Sequence, residues 1–573
     1  MAGTLDNNYF TTGNIMNLKI KSAKRAFIGF SLGLMAISTN VAAATPAQTN
    51  PDDWPQYHRT SDAWRFSPLD QINTKNIKNL KVAWIHQPGD IEHGLQATPI
   101  VIDGIAYYIG PNNNVFALEA DTGKTIWHYQ PELDDIVREV FYVAASRGVT
   151  VGHGNVYVGS LDGRFIALDQ KTGKEKWSSQ ITDQKNCYGC LFSSPPQLAG
   201  DILYGGTTGG DQPTQGKIFA VNAITGKKAW TFNILDKDNK KSWPGDSGEV
   251  GGSGAWLPGT YDEKSDTIFI GTANAAPDFY GADRVGDNKH TASLLAINPN
   301  NGELRWAYQE IPHDVWDYDA AYEALSINHN GKDVLVHLNK SGYVFVLDKS
   351  TGKLETVWPL AENTIFAESI NKKTGELIGR IKMPVGEETT VCPYLLGARS
   401  WNHGAYNPDT GLWYTNAMEA CNVIIPAAQE HESVGMAGLF LGVSKLVAVA
   451  PPGKKVSARL DARDPITGKV KWSVDYPLPG LGSVLTTGGN LVFNGDPKGM
   501  IFAYDAKTGK KVWEFNAGSG LRGGIVSYAV DGKQYIVAAT GLGSHAPGFM
   551  ASAWPEITGL PGGATLIAFT LAD

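Results

Sequence analysis

At 573 residues the chain is long enough for several domains or for one large repeat architecture. With 42% hydrophobic and only 18% charged residues it excludes a disordered chain, and its abundant Gly, Trp and Tyr favour strands joined by many turns. A formal charge of -8 excludes the basic field that nucleic-acid binding needs.

The amino terminus reads as a leader. Lys19, Lys21, Lys24 and Arg25 precede an apolar run at 26–37, and small residues follow at Val41, Ala42, Ala43 and Ala44. This basic, apolar, small-residue order predicts a cleaved secretory signal, with Met16 as an alternative start. Residues 1–44 are read as N-terminal extension and signal peptide, and 45–573 as a mature chain exported to a periplasm. The run is too short to span a bilayer comfortably, and no later segment predicts a membrane span. Export permits disulfides among Cys187, Cys190, Cys392 and Cys421. The C-Y-G-C pair at 187–190 reads as a small structural loop; no His follows Cys190, so it is not a haem attachment site.

A repeat then runs through the chain: Ala, a polar turn closing on Thr-Gly, usually Lys, and a Trp. It occurs at Ala117–Trp127, Ala167–Trp177, Ala220–Trp230, Ala296–Trp306, Ala462–Trp472 and Ala503–Trp513, with weaker copies at Val346–Lys353 and Ala405–Trp413. The turn glycines Gly123, Gly173, Gly226, Gly302, Gly352, Gly411, Gly468 and Gly509 supply positive φ, and each Trp is expected to pack on a neighbouring unit. Further strand pairs lie upstream of most copies, so each unit reads as a four-stranded blade. The eight copies predict an all-β, eight-bladed β-propeller, closed by pairing the run 564–571 with strands near the mature amino terminus. The largest insertion is read between Gly226 and Gly302; it holds a polar loop at 236–254 and the strands around Asn274, and is expected to build the binding face.

Three further motifs follow in order: G-T-A-N-A-A-P at 271–277, G-D-N at 286–288 and H-D-V-W-D-Y-D at 313–319. With the Trp repeats and the opening W-P-Q-Y-H-R-T-S-D-A-W-R-F-S-P-L-D-Q-I-N at 54–73, they make the chain resemble the quinoprotein alcohol dehydrogenases. That resemblance implies an eight-bladed propeller with tryptophan-docking repeats, pyrroloquinoline quinone on the axis and a bound metal ion. It implies Asp317 as catalytic base, taking the hydroxyl proton as hydride leaves carbon. It implies Asp211, Asn274 and Asp317 as metal ligands, with Asp319 as a further ligand resembling the lanthanide-dependent branch. Such oxygen donors suit Ca²⁺ or a lanthanide ion rather than Zn²⁺. For the quinone it implies Trp256 as a stacking floor, Arg147 and Lys340 as cations, Ser193 and Thr208 as hydroxyls at its carboxylates, and Gln96 at its edge.

The chain also departs from the pattern. Asp211 and Gln96 stand where the family has Glu, and Leu481 replaces an aromatic near the quinone. The stretch at 141–147 lacks adjacent cysteines, so an aromatic lid from Phe141 or Tyr142 is expected in place of a vicinal disulfide. The function implied is oxidation of a small alcohol, with electrons passed to a separate periplasmic acceptor such as a c-type cytochrome. Two alternatives stand beside it: a quinoprotein acting on sugars or polyols, and a non-catalytic propeller scaffold similar to outer-membrane assembly lipoproteins.

Overall fold

The computed structural model describes residues 50–91, 93–135, 137, 145–183, 185, 187–427 and 439–572. The leader read at 1–44, with Phe141 and Tyr142, lies outside them.

Strands dominate, and each repeat closes an antiparallel sheet in chain order. Ile100–Ile102, Ile105–Ile109, Val115–Glu119 and Thr125–Tyr129 form the first. Sheets of the same order follow at 150–180, 197–233, 260–309, 324–359 and 485–516; the last of these gains Phe66–Ser67 as a parallel edge strand. Burial falls from the inner strands outward. Asn155–Gly159 is buried throughout, whereas Glu175–Gln180 alternates between exposed and half-buried positions, as a strand with one solvent face must.

The repeat has a geometric meaning in each sheet that carries a full copy. Its Ala pairs with its Trp across the two outer strands, as in Ala117 with Trp127 and Ala296 with Trp306, so a small residue faces a large one. Immediately beyond that pair the register shifts by a bulge, which adds twist and re-aims the indole toward the next sheet. There it lies on the next turn glycine: Trp127 on Gly173, Trp177 on Gly226, Trp230 on Gly302, Trp306 on Gly352, Trp358 on Gly468 and Trp472 on Gly509. A Cβ on any of these glycines would come within 2.8 Å of the ring. Indole N–H groups of Trp127, Trp230, Trp358 and Trp472 donate to carbonyls of the same turns, at Gln170, Pro299, Pro465 and Ala506.

The carboxy-terminal strand Thr565–Leu571 pairs with Leu80–His86, as expected for closure. Trp84 on that early strand docks on Gly123 of the first sheet.

One copy of the repeat is corrected. Ala405–Trp413 is not a unit of its own: Ala405–Asn407 and Leu412–Glu419 are the inner hairpin of the sheet completed by Ser457–Arg463 and Val470–Tyr476. Gly411 takes positive φ for a simple hairpin turn, and a Cβ there would meet open space. Conversely, the closing sheet of Leu521–Val530, Lys533–Thr540, Thr565–Leu571 and Leu80–His86 carries no copy of the motif. The false copy also hid an insertion between Gly352 and Gly468. It holds a three-stranded sheet of Thr389–Val391, Cys421–Pro426 and Val443–Val449, tied by the Cys392–Cys421 disulfide. Cys187 and Cys190 form the second disulfide, closing the small loop expected of C-Y-G-C.

Candidate active site

The three motifs, two of them before and one after the fourth repeat, are one physical device. Asp314 accepts hydrogen bonds from Trp316 N (3.0 Å) and Tyr318 N (2.7 Å), closing a tight turn in which Asp317 sits at φ 62°. An Asp at positive φ is a strained placement that the surrounding bonds must hold. The turn is anchored below by Tyr318, whose hydroxyl donates to Pro393 O. Arg284, fully buried, joins the motifs. Its guanidinium donates to Pro277 O (2.7 Å), Asp314 O (2.7 Å) and Asn288 Oδ1 (2.8 Å). The G-D-N segment therefore fastens the Asn274 loop to the Asp317 turn.

Inside this frame the acidic groups meet. Asn274 N–H donates to Asp319 Oδ1 (2.7 Å), and its Nδ2 to Asp278 Oδ1 (2.8 Å). Asn274 Oδ1 is fully buried and accepts no hydrogen bond. Gly210 passes so close that a Cβ would lie 2.6 Å from that oxygen, so only glycine lets Asp211 reach the cluster. One carboxylate oxygen each from Asp211, Asp278 and Asp317 lies within 4.8 Å of the others. Lys340 Nζ sits 2.6 Å from Asp317 Oδ1 and 2.9 Å from Asp319 Oδ2. Inserted backbone clamps the edge: Phe440 N–H donates to Asp211 O and Phe279 N–H to Leu441 O.

Electrostatics follow from this crowding. Burial pushes the Asp317 carboxyl well above the carboxylate range; Lys340 opposes the shift, while Asp319 and Asp211 add to it. Burial and then Asp319 push Asp211 up to about 6. Asp278 is raised by burial and next by Asp211 and Asp317. For Lys340, burial disfavours the ammonium, but Asp317, Asp319 and Asp211 outweigh it and the group is held above the ordinary lysine range. A cluster of acceptors with too few donors is the donor set of a hard cation, whose charge would favour the ionised carboxylates.

The same cavity, about 200 Å³, continues onto an aromatic and cationic side. Arg147 lies 4.8 Å from the Trp256 ring centre and 4.6 Å from that of Trp401, and its Nη1 donates to Ser193 Oγ (2.6 Å). Arg522 lies 5.1 Å from Trp401, fixed by Asn402 Oδ1 and Leu481 O. Gln96 and Thr208 also line the cavity. Thr208 Oγ1 is already engaged: it donates to Gly189 O in the disulfide loop and accepts from Leu191 N. Leu481 is buried in the core and presents its carbonyl to Arg522 rather than its side chain to the cavity. Stacking indoles and paired guanidinium groups suit a planar polyanion such as pyrroloquinoline quinone.

The third wall is apolar. Leu395, Leu396, Leu439, Leu441 and Leu446 from the second insertion, with Phe549, line the same cavity as Asp317.

The structure thus brings Gln96, Arg147, Ser193, Thr208, Asp211, Trp256, Asp317, Asp319 and Lys340 to one cavity, with Asn274 bonded directly behind it. Sequence reading missed Asp278, Arg284, Asp314, Trp401, Arg522 and the leucine wall. Asp278 follows the G-T-A-N-A-A-P motif by a single residue, the one local signal that could have found it.

Comparison with known proteins agrees with this geometry. The family model for the PQQ glucose/ethanol/alcohol dehydrogenase β-propeller domain matches residues 54–378 and 454–536. The quinoprotein alcohol dehydrogenase PedH of Pseudomonas putida is 35% identical over 514 residues, covering 84% of this chain and 85% of that protein. The solved quinohemoprotein alcohol dehydrogenase of Comamonas testosteroni superposes with a TM-score of 0.84 at 31% identity, covering 92% and 81%. A europium-containing methanol dehydrogenase superposes with a TM-score of 0.83 at 27% identity, covering 91% and 98%. With its docked Trp repeats and its acidic and aromatic cavity, the chain belongs to the quinoprotein alcohol dehydrogenases, oxidoreductases that use pyrroloquinoline quinone.

Proposed function

We propose that this chain oxidises a primary or secondary alcohol with an apolar substituent to the aldehyde or ketone, with Asp317 as general base. The observation that carries the reading is the convergence, in one cavity, of the Asp317 cluster, the Arg147–Trp256 stack and the leucine wall.

Pyrroloquinoline quinone, when bound, supplies the two-electron acceptor, and a Ca²⁺ or lanthanide ion beside it supplies Lewis acidity. Asp211, Asn274 and Asp317 would hold the ion. Asp319 stands directly behind them, with one oxygen on Asn274 N–H and the other facing Lys340. Trp256 would carry the quinone plane, and Arg147, Gln96, Ser193 and Thr208 would meet its polar rim. The remaining chemistry belongs to the chain. Asp317 accepts the substrate hydroxyl proton. Lys340 steers the accepting oxygen by its 2.6 Å bond. The leucine wall takes the apolar substituent and excludes water from the reacting carbon.

The wider reading is an eight-bladed ring over 45–573, supported by the Trp–Gly docking that links successive sheets from Trp84 to Gly509 and by the Leu80–His86 pairing with Thr565–Leu571. The basic and apolar leader supports export to a periplasm, where a c-type cytochrome would take the electrons. No described helix is long and apolar enough to cross a membrane.

The test is dye-linked turnover by apo-protein given the quinone with Ca²⁺ or La³⁺, across alcohols of rising chain length. Activity should require quinone and metal and should rise with apolar chain length before falling. Absence of quinone-dependent turnover with both ions would sink the reading, and a preference for glucose would favour the sugar alternative.

A further inference from the structure

We infer that Asp278 is a direct ligand of the metal ion, and that Asp319 is a positioning residue behind the shell, a step that rests on the metal-bearing site proposed above. Two independent features of the cluster support it.

The first is the geometry of the carboxylates. The three oxygens that converge are those of Asp211, Asp278 and Asp317. Their mutual separations, all within 4.8 Å, suit oxygens around one ion whose bonds are about 2.3–2.6 Å long. Asp319 is outside this trio among the described residues. Its Oδ1 accepts from Asn274 N–H at 2.7 Å, and its Oδ2 faces Lys340 Nζ at 2.9 Å.

The second is the orientation of Asn274. Its Nδ2 donates to Asp278, which turns Oδ1 away from that carboxylate and toward Gly210, the residue before Asp211. Oδ1 is buried and has no donor. Its acidic neighbours Asp211 and Asp278 only accept hydrogen bonds when ionised, and in that state neither can satisfy it. A cation satisfies all four oxygens together. Asp278 thus has two tasks: it coordinates, and it sets the amide so that the Asn274 oxygen coordinates too.

Charge then predicts which ion is preferred. Lys340 contacts both Asp317 and Asp319, so the four carboxylates of Asp211, Asp278, Asp317 and Asp319 with one ammonium leave three net negative charges against the metal. A trivalent ion neutralises them, whereas Ca²⁺ leaves one excess negative charge in a buried cavity. Asp278 is the carboxylate that raises this net charge from two to three, and so the one that tips the balance toward a trivalent ion.

The experiment titrates the purified full-length protein and its Asp278→Asn and Asp319→Asn variants with La³⁺ and with Ca²⁺. It also measures Eu³⁺ luminescence lifetimes in H₂O and D₂O, which count metal-bound waters without recourse to activity. Asp278→Asn should weaken La³⁺ binding at least 100-fold, weaken Ca²⁺ binding about tenfold, and add bound water to Eu³⁺. Asp319→Asn should weaken both ions by a similar, smaller factor and leave the water count unchanged. La³⁺ binding by Asp278→Asn within threefold of wild type, with an unchanged water count, overturns the inference. So does a larger La³⁺ defect in Asp319→Asn than in Asp278→Asn. Should Asp278→Asn fail to fold, Asp278→Glu decides the matter: it should retain binding and shift the Eu³⁺ excitation line, and an unshifted line refutes direct ligation. A wild-type protein that binds neither ion overturns the metal site as a whole, an outcome distinct from loss or retention in the variants alone.

Discussion

Replacing Asp314 by Asn tests how the base is held, because Asp314 touches none of the reacting atoms. Its carboxylate accepts from Trp316 N with one oxygen and from Tyr318 N with the other, both fully buried. Asn keeps one acceptor and turns an NH₂ toward the second N–H, leaving a buried donor unpaired at a cost of about 1–3 kcal/mol. Ala removes both acceptors and should cost roughly twice as much. The turn these bonds close holds Asp317 at φ 62°, a conformation about 1–2 kcal/mol unfavourable for a side chain with a Cβ. Loosening the turn lets Asp317 relax away, and a displacement of about 1 Å at a reacting group costs on the order of 10²-fold in rate. Turnover at saturating quinone and metal should therefore fall about 10- to 100-fold in Asp314→Asn and further in Asp314→Ala. The urea midpoint should drop in the same order, while the apparent alcohol KM changes little. An Asp314→Asn protein that keeps more than half of wild-type kcat, or an Ala variant no worse than the Asn one, would refute the positioning role.

Asp317→Asn should leave quinone absorbance bound to the protein and remove about 10²–10⁴-fold of turnover; retention of half the activity would exclude it as the base. Gly468→Ala should destabilise by about 2–5 kcal/mol, adding overlap with Trp358 to the positive-φ penalty, whereas Gly411→Ala should lose only about 1–2 kcal/mol; equal urea midpoints would show that Gly468 is not a docking glycine. Burial holds His58 and His403 well below the ordinary histidine range, so they stay neutral in the fold and charge only on unfolding. Stability is therefore lost as pH falls through about 6.5, and the advantage of wild type over His403→Gln should shrink by about 1.4 kcal/mol per unit below that pH. An advantage that stays constant between about pH 7.5 and 5.5 would remove His403 from the account.

The architecture was legible because its signal is both periodic and local. Each full copy carries an Ala opposite its Trp, a bulge, and the glycine that receives the preceding unit's indole, and all three fall within about a dozen residues. The same locality explains the error at Gly411. Thr-Gly with a following Trp marks a positive-φ turn, and the sequence does not say whether an indole from the preceding sheet lands on it. Counting that turn as a unit split the span between Gly352 and Gly468, concealing the insertion that supplies the leucine wall. A compensating omission lay at the end of the chain, where the closing sheet takes its outer strand and its Trp from Leu80–His86, far away in sequence.

The site divides along a similar line. Residues that carry chemistry on their side chains, such as Asp317, Asn274, Arg147 and Lys340, stand in motifs and could be matched one by one. Residues that hold those side chains in place act on backbone carbonyls and amides, as Arg284 does at Pro277 and Asp314 does at Trp316 and Tyr318. A backbone partner imposes no matching residue elsewhere, so such supports leave no pair to recognise in a single sequence. Thr208 shows the converse: its position at the cavity was readable, but its hydroxyl is committed to Gly189 and Leu191 of the disulfide loop. Asp278 combines both cases. It adjoins a legible motif, yet its meaning depends on Asp211 and Asp317 arriving from two other sheets and on which way it turns the Asn274 amide. The leucine wall is the least legible part, because Leu395, Leu396, Leu439, Leu441, Leu446 and Phe549 lie outside the repeat, far apart in sequence, and meet only in the folded cavity. In the proposed reading the propeller sets where Asp317 takes the proton, and its insertions set which alcohol can present one there.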